Sequence, residues 1–139
     1  MAEYDIKWFV DNRVIMAHFP AGLDADNLTE QFDILINMIN EADDKYPLVH
    51  ILMNGEDIRQ YPKQVAKIGN IMKSLLENAR LGWIVLYGRD DRMIKFLSTA
   101  IAGMFKTRFR FFYNQEEAFA FLNSVDENLP DLSKYQTTR

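Results

Sequence analysis

The chain of 139 residues contains no cysteine, and it has only two histidines, four prolines and six glycines. Without cysteine it can form no disulfide, no thiolate metal site and no cysteine nucleophile. No apolar run approaches the roughly 18 residues that a membrane-spanning helix needs. Residues 1–5 show neither the basic start nor the apolar stretch of a secretory signal. We therefore expect a cytoplasmic protein without a membrane span.

Reactive chemistry is also scarce. His18 and His50 lie on neighbouring strand-like segments, but no His-x-x-x-His or Glu-x-x-His pair offers further metal ligands. Gly88 stands alone, so the chain has no glycine-rich loop of the kind that cradles phosphates. We predict no metal and no cofactor, and we identify no set of catalytic residues. This favours a non-enzymatic protein, with an enzyme of unknown reaction as the second alternative.

Strand-like and helix-like segments alternate from about residue 7 to residue 125, in the order β-β-α-β-α-β-α-β-α. Asp11-Asn12-Arg13 between the first two strands predicts an antiparallel hairpin, because Asp and Asn tolerate tight-turn conformations. Strands joined by helices imply crossover connections and a mostly parallel sheet. The predicted fold class is α/β, a single mostly parallel five-stranded sheet with an N-terminal antiparallel hairpin and four helices. It occupies residues 1–125, and the polar residues 126–139 are predicted to form a loosely held C-terminal tail.

The boundaries of the elements follow from local signals. The predicted strands cover residues 6–10, 14–19, 48–53, 83–87 and 108–113. The first helix begins near Ala25, with Asp24 and Asp26 as alternative N-caps. The second begins near Pro62, whose missing amide costs nothing in a first turn. The third begins after Asp90, and the fourth is capped by Asn114 in a near match to the capping box.

Two stretches of the C-terminal half are familiar. They are Gly82-Trp83-Ile84-Val85-Leu86-Tyr87 and, after the third helix, Phe109-Arg110-Phe111-Phe112-Tyr113-Asn114-Gln115-Glu116-Glu117-Ala118-Phe119-Ala120-Phe121-Leu122. Together with the order of elements they resemble the SpoIIAA-like fold, which includes the STAS domains of anti-sigma-factor antagonists and sulfate-transporter tails. The resemblance implies a protein-interaction or regulatory module. A related architecture occurs in the longer, lipid-carrying CRAL-TRIO domains.

One departure from this family bears on function. STAS switches of the sigma-regulating kind carry a phosphorylated serine just before a glycine, after the third strand. Here Asn54 precedes Gly55, and no serine or threonine lies between Thr29 and Ser74. Asparagine cannot accept a phosphoryl group. The resemblance therefore implies a STAS-like interaction module without a phosphorylatable switch.

Two polar loops follow the third and fourth strands, at the end of a parallel sheet where ligands usually bind. Free amides at a helix start attract anions, and neighbouring arginines would assist. The alternative function is therefore binding of a small apolar or anionic ligand at the strand carboxyl ends. The residues predicted for this ligand site are Asn54, Gly55, Glu56, Asp57, Gly88, Arg89 and Arg92.

The net charge of −4 is unevenly distributed, since residues 80–110 contain seven basic residues and only two acids. Basic and aromatic residues alternate along the fifth strand, which indicates an edge strand with one less buried face. We predict a surface there for a protein partner or a second copy in a homodimer, formed by Lys106, Arg108, Arg110 and Phe112. The acidic chain argues against nucleic acid. Replacing Arg110 by proline is expected to remove a backbone donor from this edge.

Overall fold

The computed structural model describes residues 4–63, 65–104 and 108–135. The strands are β1 (Asp5–Val10), β2 (Val14–His18), β3 (Val49–Asn54), β4 (Leu81–Tyr87) and β5 (Phe109–Phe112). The helices are α1 (Ala25–Glu41), α2 (Val65–Leu76), α3 (Arg92–Met104) and α4 (Gln115–Val125), followed by a short 3₁₀ helix (Leu132–Lys134). None of the helices described here has the length and apolar character needed to cross a bilayer.

The sheet order is β1-β2-β3-β4-β5, so every strand pairs with its neighbours along the chain. β1 and β2 are antiparallel, and the remaining pairs are parallel. Asn12 closes the β1–β2 hairpin with a φ of 64°, a left-handed conformation that asparagine tolerates. The mostly parallel five-stranded sheet with an antiparallel hairpin confirms the predicted fold class.

Helices cover the two faces of the sheet unequally. The face formed by alternate residues such as Ile15, Ile51 and Ile84 packs against α1, α2 and α3 in the larger core. The opposite face packs against α4 and the residues that follow it. All six residues of β3 are buried, as expected of a central strand covered on both sides.

The start of α2 differs from the prediction, because this helix begins at Val65 and not near Pro62. The preceding residues pair instead with the segment that follows β2. The Leu23 N–H donates to the Gln60 carbonyl at 2.9 Å, and the Arg59 N–H donates to the Ala21 carbonyl at 2.7 Å. These long-range backbone bonds hold the chain extended before the helix can begin.

Two helix starts follow the sequence signals. Asp24, and not Asp26, caps α1, since its side chain accepts the Asn27 N–H at 2.8 Å. The Asn27 side chain in turn accepts the Asp24 N–H, which completes a capping box. Asn114 caps α4 by accepting the Glu117 N–H at 2.8 Å.

The segment after α4, residues 126–135, is packed and not loosely held. Leu129 and Leu132 are buried against the α4 face of the sheet. The Asn123 side chain holds the segment from both directions, because its amide donates to the Pro130 carbonyl at 2.8 Å and its carbonyl accepts the Leu132 N–H at 3.0 Å. The prediction of a loose tail rested on the polar composition of this segment, but its two leucines belong to the core.

We expect Leu132→Ala to lower the free energy of unfolding by about 2–5 kcal/mol, because it opens a cavity at a fully buried site. Urea unfolding monitored by circular dichroism measures this change. Lys134→Ala, at an exposed residue of the same 3₁₀ helix, is the matched control and should stay within about 0.5 kcal/mol. Equal, small effects of both substitutions would mean that the segment is not part of the folded core.

Candidate functional site

The two loops at the carboxyl ends of β3 and β4 lie directly against each other. The Gly55 N–H donates to the Tyr87 carbonyl at 2.8 Å. At Gly88, an added Cβ would lie 3.4 Å from the Gly55 carbonyl oxygen, so the two loops are in van der Waals contact. The structure thus places Gly55 and Gly88, one from each predicted loop, next to each other.

Arg89 ties these loops to each other. Its Nε donates to Asp91 Oδ2 at 2.7 Å, and its Nη2 donates to the Ile58 carbonyl at 2.8 Å. Its Nη1 donates to the Glu56 carbonyl. Three of its five N–H donors are therefore committed within the protein, and Arg89 has a structural role here.

The amino end of α3 already holds an anionic group. Asp91 Oδ1 accepts the Ile94 N–H at 2.9 Å, which is the bond of an N-cap. This bond and the neighbouring Arg89 guanidinium hold the pKa of Asp91 below its usual value. An external anion would have to displace this carboxylate, so anion binding at exposed Arg92 stays a prediction.

The polar residues of the first loop are also engaged. The buried Asn54 side chain accepts the Glu56 N–H at 2.9 Å, so it shapes the turn. Asp57 Oδ2 lies 2.7 Å from His18 Nε2, and Asp5 Oδ2 lies 3.4 Å from His18 Nδ1. Among the described residues, no group of three or more such side chains is arranged to hold a metal ion.

An apolar opening lies beneath these loops, between the sheet and helices α1, α2 and α3. Phe19, Phe32, Tyr61, Met72 and Leu97 are among the side chains that line it, and its volume is about 30 Å³. Ligand pockets usually measure about 300–1,000 Å³. The opening is therefore too small for an ordinary ligand, and an apolar ligand at this edge stays a prediction that requires the helices to move apart.

The surface predicted around the fifth strand has a defined shape. Arg110 lies over the rings of Phe121 and Phe112, with its Cζ 4.9 Å and 5.9 Å from their centroids. Trp83 packs edge-on against Phe121 at 4.9 Å. Arg108 precedes β5, and its Nη1 donates to the Leu81 carbonyl at 3.2 Å. Lys106 lies outside the described residues.

The hydrogen bonds between β4 and β5 show which backbone groups of the edge strand are free. The Ile84 N–H donates to the Arg108 carbonyl, and the Gly88 N–H donates to the Phe112 carbonyl. Backbone groups alternate in direction along a strand, so Arg110 also faces β4, and Phe109 and Phe111 face the open edge. The expectation that Arg110→Pro removes a donor from the open edge is therefore wrong, since this change would break the β4–β5 ladder.

A polar contact that the sequence did not predict joins His50 to Trp83 and Asp126, at the amino ends of the strands. His50 is 2% exposed. The Trp83 N–H donates to His50 Nδ1 at 2.9 Å, which leaves the proton on Nε2. This Nε2–H donates to Asp126 Oδ2 at 2.9 Å. A Cβ at Gly82 would lie 2.3 Å from His50 Nδ1, so this approach requires glycine.

The surroundings of His50 determine its charge. Burial lowers the pKa of His50 and outweighs the opposing effect of Asp126. Burial by itself would raise the pKa of Asp126, but hydrogen bonds from His50 and the Asn128 N–H hold it below its usual value. Both nitrogens of the neutral imidazole are occupied, so His50 has no free lone pair for use as a general base.

Comparison with known proteins bears on the fold. No protein-family model matches the chain, and no curated protein matches it. Among solved structures, it is similar to an uncharacterized protein of the DUF3478 family, with a SpoIIAA-like fold, from Shewanella loihica PV-4. The match covers 86% of this chain and 92% of that chain, with a TM-score of 0.60 and 12% sequence identity. The fold is SpoIIAA-like. This confirms the predicted resemblance in fold, and at such low identity the likeness extends to the fold alone.

We expect Arg89→Gln to destabilise the protein by about 1–2 kcal/mol, because two backbone carbonyls lose a charged donor at a partly exposed site. Chemical denaturation measures the change. Arg92→Gln removes the same charge from an exposed neighbour and should alter stability by no more than about 0.5 kcal/mol. If Arg89→Gln leaves stability unchanged, Arg89 does not hold the loops.

His50 should make folding sensitive to acid. Its folded-state pKa lies below the ordinary value of 6.5, so just below pH 6.5 the unfolded chain binds a proton that the folded chain does not. Stability should therefore fall as the pH drops below about 6.5, by up to about 1.4 kcal/mol per pH unit. Asp126, whose pKa is also lowered, adds a loss at pH values below its ordinary 3.8.

Unfolding free energies measured between pH 7 and pH 5 test this expectation. His50→Gln should remove the His50 part of the slope, while His18→Gln, at the other histidine, should retain it. A slope that persists unchanged in His50→Gln would show that His50 does not change its protonation on unfolding.

Proposed function

We propose that the protein is a non-enzymatic, cytoplasmic interaction module that binds an acidic, extended segment of a partner protein along the open edge of β5. The observation that carries this proposal is a strand edge that pairs with no other described strand and lies beside exposed cations, in a protein of net charge −4. Extended peptides add to such edges through backbone hydrogen bonds, while side chains on the two faces supply specificity.

Four cations belong to β5 and its neighbours. Lys95 on α3 lies beside Tyr113, which follows β5, and Arg110 of β5 lies over Phe112 and Phe121. Arg92 also belongs to α3, and Arg108 precedes β5. None of the four forms an ion pair with a carboxylate in the part of the chain that is described. Acidic side chains of a partner would complement this unpaired charge and would speed its association.

Exposed aromatic side chains lie on the elements that carry these cations. Phe96 on α3 is 57% exposed, and Tyr113, just after β5, is 40% exposed. The Lys95 ammonium lies 5.9 Å from the centroid of the Tyr113 ring. Aromatic residues and arginine are enriched at the energetic centres of protein interfaces. Apolar side chains of the partner segment would therefore pack against Phe96 and Tyr113, while its acidic side chains contact the neighbouring cations.

The same charges disfavour the other occupants considered for this edge. A second copy paired along β5 would bring the cations of two identical edges together, and like charges across an interface cost affinity. A nucleic acid would be attracted by this edge but repelled by the acidic remainder of the protein.

A displayed library of random linear peptides, selected on the purified protein, tests the proposal. We expect enriched peptides in which Asp or Glu alternates with apolar residues. Arg110→Glu should weaken the binding of a selected peptide about tenfold or more, because it replaces an attractive charge by a repulsive one. Lys73→Glu, an equal change of charge on the exposed side of α2, is the control and should alter affinity by about twofold at most.

Hydrogen exchange locates the peptide. In the complex, the outward-facing amides of Phe109 and Phe111 should exchange more slowly than in the free protein. Protection that appears elsewhere, or enriched peptides without acidic residues, would contradict the proposal. A single-stranded oligonucleotide that binds more tightly than the peptide, or a dimer that Arg110→Glu dissociates, would assign the edge to nucleic acid or to self-association instead.

A further inference from the structure

A cleft lies at the amino ends of the strands, on the α4 side of the sheet. Segments from five parts of the chain enclose a cleft of about 760 Å³ there, within the range of small-molecule sites. We call it the amino-edge cleft. It is lined by Arg13, Lys45, Tyr46, Pro47, Leu48, His50, Trp83, Arg108, Val125, Asp126 and Asn128.

The charges that line the amino-edge cleft are mostly positive. Arg13, Lys45 and Arg108 face a single carboxylate, that of Asp126. This carboxylate is already bound by His50 and lies 3.8 Å from Arg13. Lys45 and Arg108 form no ion pair with a carboxylate among the described residues. Two cations are therefore available to an anionic ligand.

The walls of the cleft are apolar and aromatic. Tyr46, with Pro47 and Leu48, forms one part of the lining, and Trp83 and Val125 form another. Val125 is 40% exposed, which is unusual for a large apolar side chain in this protein. Arg13 Cζ and Lys45 Nζ lie 4.9 Å and 5.4 Å from the centroid of the Tyr46 ring, so Trp83 is the wall that offers a stacking contact to a flat ring.

The backbone at Arg108 also points to this cleft. Its φ of 64° is left-handed, a conformation that is uncommon for residues other than glycine and asparagine. In this conformation Arg108 Nη1 donates to the Leu81 carbonyl at 3.2 Å, which holds the guanidinium beside the cleft. Backbone strain that persists in a folded protein concentrates at binding sites.

We propose that the amino-edge cleft binds a small organic anion that carries an aromatic ring. Lys45 and Arg108 contact the anionic group, and the ring packs against Trp83. His50 keeps both nitrogens engaged within the protein, so the cleft binds its ligand without transforming it. This site is separate from the open edge of β5, and neither depends on the other except through Arg108.

Phenyl phosphate is a simple probe that combines both features. The protein has two tryptophans, and nuclear magnetic resonance distinguishes their indole N–H signals through a Trp8→Phe variant. Trp83 lines the cleft, whereas Trp8 packs against the core beneath α1, α2 and α3. Titration with phenyl phosphate should shift the Trp83 signal in a saturable manner and leave the Trp8 signal in place. Inorganic phosphate and benzyl alcohol, which each lack one feature, should both bind more weakly.

Charge-neutralising variants complete the test. Lys45→Gln combined with Arg108→Gln should raise the dissociation constant about tenfold or more, and Lys45→Gln alone should raise it by a smaller factor. Lys67→Gln combined with Lys73→Gln removes the same charge from exposed sites on α2 and should leave the constant unchanged. Arg110→Glu, which tests the β5 edge, should leave phenyl phosphate binding intact, so the two proposals fail separately.

Three outcomes would overturn the inference. The first is an absence of any Trp83 shift up to the solubility limit of phenyl phosphate. The second is an equal loss of affinity in the cleft variant and in the α2 control, which would show that the net charge of the protein, and not the cleft, determines the affinity. The third is equal affinity for inorganic phosphate and phenyl phosphate, which would show that the aromatic walls contribute nothing.

Discussion

The direction of the crossover connections is the constraint on which the rest of this structure depends. Strands β2 to β5 follow one another across the sheet in chain order, and crossovers of one hand place α1, α2 and α3 on the same face. The opposite face is left to α4, a helix of 11 residues. Residues 126–135 return over this face and bury Leu129 and Leu132, and the contact between Asp126 and His50 fastens their start at the amino edge.

The two ends of the parallel strands differ in how they are covered. In open α/β sheets the carboxyl ends normally receive the ligand, but here Arg89 holds the two loops at this end together. At the amino ends, the hairpin, the loop before β3 and the end of α4 line the amino-edge cleft without filling it. Lys45 and Arg108 at this edge and Arg110 on β5 form no ion pair with a carboxylate among the described residues, and these are the two surfaces where we propose recognition.

Local sequence patterns predicted most of the fold, because each strand and helix has a signal within a few residues. Examples are the continuous apolar run of β3 and the helix caps Asp24 and Asn114. Features that need distant residues stayed hidden. The sequence around Arg89 does not distinguish an arginine that binds an external anion from one that binds the Glu56 and Ile58 carbonyls, as Arg89 does. The amino-edge cleft joins segments from residue 13 to residue 128, which no local pattern brings together. Polar neighbours likewise concealed the buried Leu132.

The strictly sequential strand order has a consequence for how the chain folds. Each new strand docks on the strand made just before it, so the sheet can grow one βα unit at a time, without waiting for a distant partner. During synthesis, the apolar edge of β4 is covered as soon as β5 emerges. The last step is different, since residues 126–135 must reach back to His50, made some 75 residues earlier. Completion of the second core therefore waits for residues 126–135, which supply Leu129 and Leu132.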